Sequence, residues 1–90
     1  MFKVIKVEGG RNKYGQSFYW IFFRDLKEGK SARTFIVPGF GNYERWKWVI
    51  DKARAGEEVF LEGLSYLNEK RRLIDADSLF LPVRPSKAEV

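Results

Sequence analysis

The chain has no cysteine and no histidine among its 90 residues, one glutamine and three asparagines. Without cysteine there is no disulfide framework, no thiolate nucleophile and no cysteine-based zinc site, and a reducing compartment is the natural home. Without histidine as well, the usual serine, cysteine and histidine acid–base arrangements cannot be assembled. A lysine or carboxylate enzyme is formally open, but nothing marks a pocket, so the expectation is a non-enzyme without metal or cofactor. No apolar run approaches the roughly 20 residues of a membrane span, and the N-terminus lacks the apolar segment of a signal peptide, which makes the expected location cytoplasmic. The scarcity of amides beside abundant Lys, Glu and Arg hints at a thermophilic source.

What is present is positive charge and rings. Lys and Arg number 17 against 12 Asp and Glu, a net +5, which favours anionic partners such as nucleic acid. Aromatic residues make up 17 % of the chain, more than the modest core of one small domain needs. Their densest run is Ser17 to Arg24, Ser-Phe-Tyr-Trp-Ile-Phe-Phe-Arg. A run so rich in β-formers reads as a strand, whose side chains alternate between two faces. One face carries Phe18, Trp20 and Phe22, the other Tyr19, Ile21 and Phe23. One small core can bury only one of these rows completely, so the other needs a partner.

In order, Phe2 to Glu8 reads as a strand that bends, because Phe2 and Val4 share one face while Ile5 and Val7 share the other. Gly9 to Gln16 is a basic, turn-rich connection. The aromatic strand ends at Asp25, and after the polar turn Leu26 to Lys30 a third strand covers Ala32 to Val37, closed by Pro38-Gly39. Gly41-Asn42 opens the only helix, with Asn42 as N-cap, Glu44 in the first turn, Lys52 and Arg54 in the last, and Gly56 just beyond it. Tyr43, Trp46, Val49, Ile50 and Ala53 form its core-facing stripe, and Trp48 lies off it. Glu57 to Tyr66 and Leu73 to Leu81 read as fourth and fifth strands around the polar turn Asn68 to Arg71. A single domain is expected over residues 1–83, followed by a flexible tail, 84–90. Five strands with the helix between the third and fourth is the order of the OB-fold, a small all-β Greek-key barrel. An SH3-like barrel is the runner-up, although it would not normally carry such a helix there.

On several short stretches the chain resembles the OB-fold family in its replication protein A or single-stranded-DNA-binding style. Gly15-Gln16-Ser17-Phe18 through Arg24-Asp25 resembles that family's second strand, and Phe35-Ile36-Val37-Pro38-Gly39 its third. Gly56-Glu57-Glu58-Val59-Phe60-Leu61-Glu62-Gly63 is similar to its Gly-Asp-x-Val-x-Val-x-Gly opening of the fourth, and Ala76-Asp77-Ser78-Leu79 resembles the fifth. The resemblance implies that Tyr19, Ile21 and Phe23 point into a barrel while Phe18, Trp20, Phe22 and Arg24 point outward, onto the face where such proteins lay single strands. An aromatic often stands where this chain has Pro38; Phe40 is the substitute at hand.

A ring held on a strand stacks on any base, at roughly 1–3 kcal/mol per base, and cations beside it supply a salt-sensitive hold on phosphates. In an OB-fold two loops flank the binding face. Here the first offers Arg11, Lys13 and Tyr14, and the second Lys70, Arg71 and Arg72 with Tyr66 leading in: five cations against the single acid Glu69. The expected function is binding of single-stranded DNA or RNA with little sequence preference, DNA slightly favoured on the resemblance. The alternatives are a protein-interaction or self-association face, or a register in which the even-numbered rings fill the core. Asp75 and Asp77 are too few oxygens for a metal site and read as ion-pair partners of Arg71 or Arg33.

Overall fold

A computed structural model describes residues 1–39 and 42–84. Phe40, Gly41 and residues 85–90, with them the suggested stacking role of Phe40 and most of the expected tail, lie outside the described residues. Among the described residues the fold is one curled sheet of seven strands with one helix between the third and fourth. The strands are β1 (Phe2–Arg11), β2 (Ser17–Asp25), β3 (Lys30–Ile36), β4 (Phe60–Glu62), β5 (Tyr66–Asn68), β6 (Leu73–Ile74) and β7 (Leu81–Val83), and the helix is α1 (Tyr43–Arg54). Their spatial order is β5-β6-β3-β2-β1-β4-β7; β3 and β6 run parallel and the other neighbours antiparallel.

The bend expected in the first strand is a bulge at Ile5. Val4 pairs with Phe23 and Lys6 with Phe22, so Ile5 is an extra residue with no partner on β2. The bulge changes which face is covered. Val4 points to the core before it and Val7, opposite Ile21, packs against the core after it. β1 runs on to Arg11, three residues further than expected, while β2 keeps its expected bounds, so their loop is only residues 12–16. Asn12 pins that loop: its Oδ1 accepts from the backbone N–H groups of Tyr14 and Gln16 at 2.9 and 3.0 Å.

The sheet is not a closed five-stranded barrel, because the two expected late strands are cut short to β4 and β6. Two further short strands, β5 and β7, begin at the last residues of the expected ones, Tyr66 and Leu81, and run on into the expected turn and past Pro82. Gly63 adopts φ 96° and lies against the backbone of Leu79 and Phe80, so the stretch from Phe60 leaves the ladder of β1 and resumes as β5 on β6. After Ile74, Asp75 closes a turn: its Oδ1 accepts the Asp77 N–H at 2.9 Å, and its carbonyl accepts the Ser78 N–H and hydroxyl. Asp75 is therefore a turn residue, and neither it nor Asp77 forms an ion pair with Arg71 or Arg33.

Ile21, Phe23, Ala32, Ile36, Leu61, Ile74 and Phe80 meet Trp46, Val49 and Ile50 of α1 in the core. Trp46 fills the centre, its indole N–H donating to the carbonyl of Ala76 at 2.8 Å. Asn42 stands at the helix N-cap, yet its side chain does not cap. Its amide donates across to the carbonyls of Ala76 and Ser78, tying the helix start to the turn after β6. No helix among the described residues is long and apolar enough to cross a membrane.

Candidate nucleic-acid interface

Pairing geometry fixes which row of β2 meets the core. Ile21 and Phe23 are buried and Tyr19 packs beside them, while Phe18, Trp20 and Phe22 are half-buried on the opposite face of the sheet and Arg24 is exposed. Across β3 the same alternation buries Ala32, Thr34 and Ile36 and leaves Ser31, Arg33 and Phe35 outward. Trp20 pairs with Phe35 and Phe22 with Arg33. The Phe35 ring lies 5.0 Å from that of Trp20 and 5.3 Å from that of Phe18, so three rings form one patch. Gly10, opposite Phe18, makes room for it: a Cβ there would stand 2.7 Å from the ring.

Cations frame the patch. Lys6 sits 4.8 Å above Phe22, Arg33 5.0 Å above Trp20, and Lys3 5.8 Å above Phe60 on the neighbouring β4. Exposed contacts of this kind are worth about 0.5–1 kcal/mol, less than a stacked base, so the cations can turn to a phosphate without a large loss. Lys6 is also paired with Glu8, the carboxylate opposite Trp20, at 2.9 Å. Among the described residues no carboxylate lies within ion-pair distance of Arg24 or Arg33.

The two basic loops stand at opposite ends of β2, roughly 27 Å apart at the usual rise per residue. Arg11, Lys13 and Tyr14 lie exposed at the Ser17 end, with Lys13 5.2 Å over the Tyr14 ring. At the other end Lys70 and Arg71 are exposed, but Arg72 and Tyr66 are occupied elsewhere. Arg72 pairs with Glu28 at 2.7 Å and Asp25 at 3.4 Å, and Tyr66 donates its hydroxyl to Asp25 at 2.8 Å while its ring packs on Phe2. These two, offered by the sequence as part of the basic loop that flanks the rings, spend their polar groups on Asp25 and Glu28 and hold that loop in place.

Burial alone would raise the Asp25 carboxyl, but the bonds from Tyr66 and from the backbone N–H groups of Glu28 and Lys27, with the charge of Arg72, outweigh it and leave the group below its ordinary 3.8. Burial first, then Asp25, push the Tyr66 phenol well above its usual value.

Phe35, Arg33, Lys6 and Phe60 join the face without having been anticipated. For Phe35 and Arg33 the signal was present in the strict alternation of β3. For Lys6 it was hidden by the bulge, and for Phe60 by the crossing of β1 and β4. Trp48 is exposed on α1 with Lys52 5.8 Å over its ring, away from the patch. Among the described residues no three His, Cys, Asp or Glu side chains come together as metal ligands. No protein-family model, curated protein or solved structure matches this chain.

Proposed function

We propose that this chain is an OB-fold variant that binds single-stranded nucleic acid with little sequence preference, DNA slightly favoured over RNA. The meander β1-β2-β3, the helix before β4, the antiparallel pairing of β4 with β1 and the parallel pairing of β6 with β3 support the fold assignment. One observation carries the function: Trp20, Phe35 and Phe18 form a contiguous outward ring patch, with cations over it and basic loops at both ends of its strand. Bases stack on the rings, while Lys6, Arg33, Arg24 and the loop residues Arg11, Lys13, Lys70 and Arg71 neutralise phosphates. The chemistry is non-enzymatic and needs no cofactor. On this reading the protein works in the cytoplasm.

The test is a titration with oligo-dT, following tryptophan fluorescence at two salt concentrations. Quenching with an affinity that falls as salt rises is expected. An unchanged signal beside a concentration-dependent oligomer would move the ring patch to protein contacts instead.

A further inference from the structure

Where β3 ends, Phe35 also borders an open depression of about 300 Å³, the lower end of the range for ligand clefts. Its walls include Phe35, Val37, Trp46 and Ala76, and its polar groups come from Asn42 and Asp77. The Ala76 carbonyl is already taken by the Trp46 indole and the Asn42 amide. The Asn42 NH₂ group is spent on Ala76 and Ser78, which leaves its Oδ1 as an acceptor. Asp77 has no hydrogen-bond or ion-pair partner for its carboxylate among the described residues, because it is the Asp75 side chain that holds the turn.

An apolar slot whose free side-chain groups only accept hydrogen bonds takes a flat ring with donors along one edge. A phosphate is excluded by the carboxylate. We infer that this depression receives one nucleobase of the bound strand and prefers guanine, with Asp77 accepting from its Watson–Crick edge. Guanine sets an N1–H beside an N2 amino group, a pair of donors that a carboxylate accepts with two oxygens. Adenine and cytosine offer one amino group each. Thymine and uracil place a single N–H between two carbonyls, which the carboxylate repels. Because Phe35 touches both Trp20 and Phe18, a strand stacked on the patch reaches the slot without a break. This rests on the single-strand-binding reading and adds base choice at one position to a face that is otherwise indifferent to sequence.

The experiment places a single guanine at each position in turn of an oligo-dT, with adenine and cytosine as comparisons, on the full chain and on Asp77→Ala. The Asp77 side chain holds no part of the fold, and circular dichroism checks that the variant is folded. Guanine at one position should tighten binding by about tenfold, the scale of one good two-point base contact. On Asp77→Ala that oligonucleotide should bind no more tightly than plain dT does, and plain dT, freed of the carboxylate's repulsion, should bind at least as well as before. If dT binds but no guanine position tightens, or the preference survives Asp77→Ala, the slot is not a guanine site. Guanosine monophosphate competing as well as the guanine oligonucleotide would also overturn it, since the slot would then act apart from the ring patch. If plain dT does not bind, the parent reading has failed, and that outcome is distinct from the others.

Discussion

Tyr66 of β5 donates its phenolic proton to the Oδ2 of Asp25 across 2.8 Å, joining the end of β2 to a strand 41 residues further along the chain. Arg72 reaches the same carboxylate and Glu28 beside it, and its Nε donates to the carbonyl of Ser31. Four side chains therefore anchor the turn between β5 and β6 against the turn between β2 and β3, and this anchor sets where Lys70 and Arg71 stand relative to the rings.

That anchor gives the fold a pH profile. Asp25 titrates below 3.8 when folded, so its contribution is complete above that value and is lost as pH falls through the depressed one. Tyr66 titrates above its ordinary 10, so its contribution is complete below pH 10 and fades as pH rises through the raised value. Tyr66→Phe should cost about 1.5–3 kcal/mol, the range for a hydrogen bond to a charged group, and should flatten both limbs. Urea unfolding followed by circular dichroism between pH 3 and 11 checks it. Profiles of the two proteins that superimpose would show that the Tyr66–Asp25 bond contributes nothing.

Trp20 should be both a binding residue and the fluorescent reporter. Trp46 is sealed in the core and Trp48 lies on the helix, so quenching by oligo-dT comes from Trp20. Trp20→Phe should keep most of the affinity and lose most of the quenching. Trp20→Ala should lose about 1–3 kcal/mol of binding with the fold intact. Phe35→Ala should weaken binding similarly, and the double variant should cost less than the two losses added, because the rings touch. An unfolded Trp20→Ala would mean that the ring supports the core rather than a ligand.

The loop cations divide into two kinds. Lys70→Ala with Arg71→Ala should reduce the salt slope of binding by about 0.7 for each phosphate that is no longer neutralised, and leave stability nearly unchanged. Arg72→Ala should instead destabilise the fold, because the buried Asp25 loses a charge partner. Affinity measured across a salt series, alongside thermal unfolding, separates the two effects. Equal stability losses in both variants would contradict the division.

Much of this face was readable from residue order alone. The alternation of Phe18 to Phe23 identifies both rows, the change of face from Phe2 and Val4 to Ile5 and Val7 announces a bend, and the stripe through Trp46, Val49 and Ile50 places the helix. What was hidden depends on residues that meet from far apart in the chain. Nothing local to Leu73–Leu81 says that Gly63 will cross Leu79 and cut two strands short. Nothing near Arg72 says that Asp25 and Glu28 will occupy it. Asn42 looks like a helix cap until the carbonyls of Ala76 and Ser78, more than thirty residues away, compete for its amide.

Gly63 is the joint on which the late strands depend. Its φ of 96° is one that residues with a Cβ rarely adopt, and a Cβ there would stand 2.5 Å from the carbonyl oxygen of Leu79, a backbone atom rather than the end of a flexible side chain. Gly29 is a fair control, with φ 68° but nothing within 4 Å of its would-be Cβ. Gly29→Ala should therefore cost about 1 kcal/mol, the conformational part alone. Gly63→Ala adds an overlap that only a shift of residues 79–80 relieves, and should cost at least about 2 kcal/mol more. Relieving it moves the turn that leads to β5 and so the basic loop beyond, which makes oligonucleotide affinity fall along with stability. Denaturant unfolding of both variants, with dT binding measured on each, decides the matter. Equal losses for the two glycines would show that residues 79–80 yield freely and that the crossing does not hold the late strands in place.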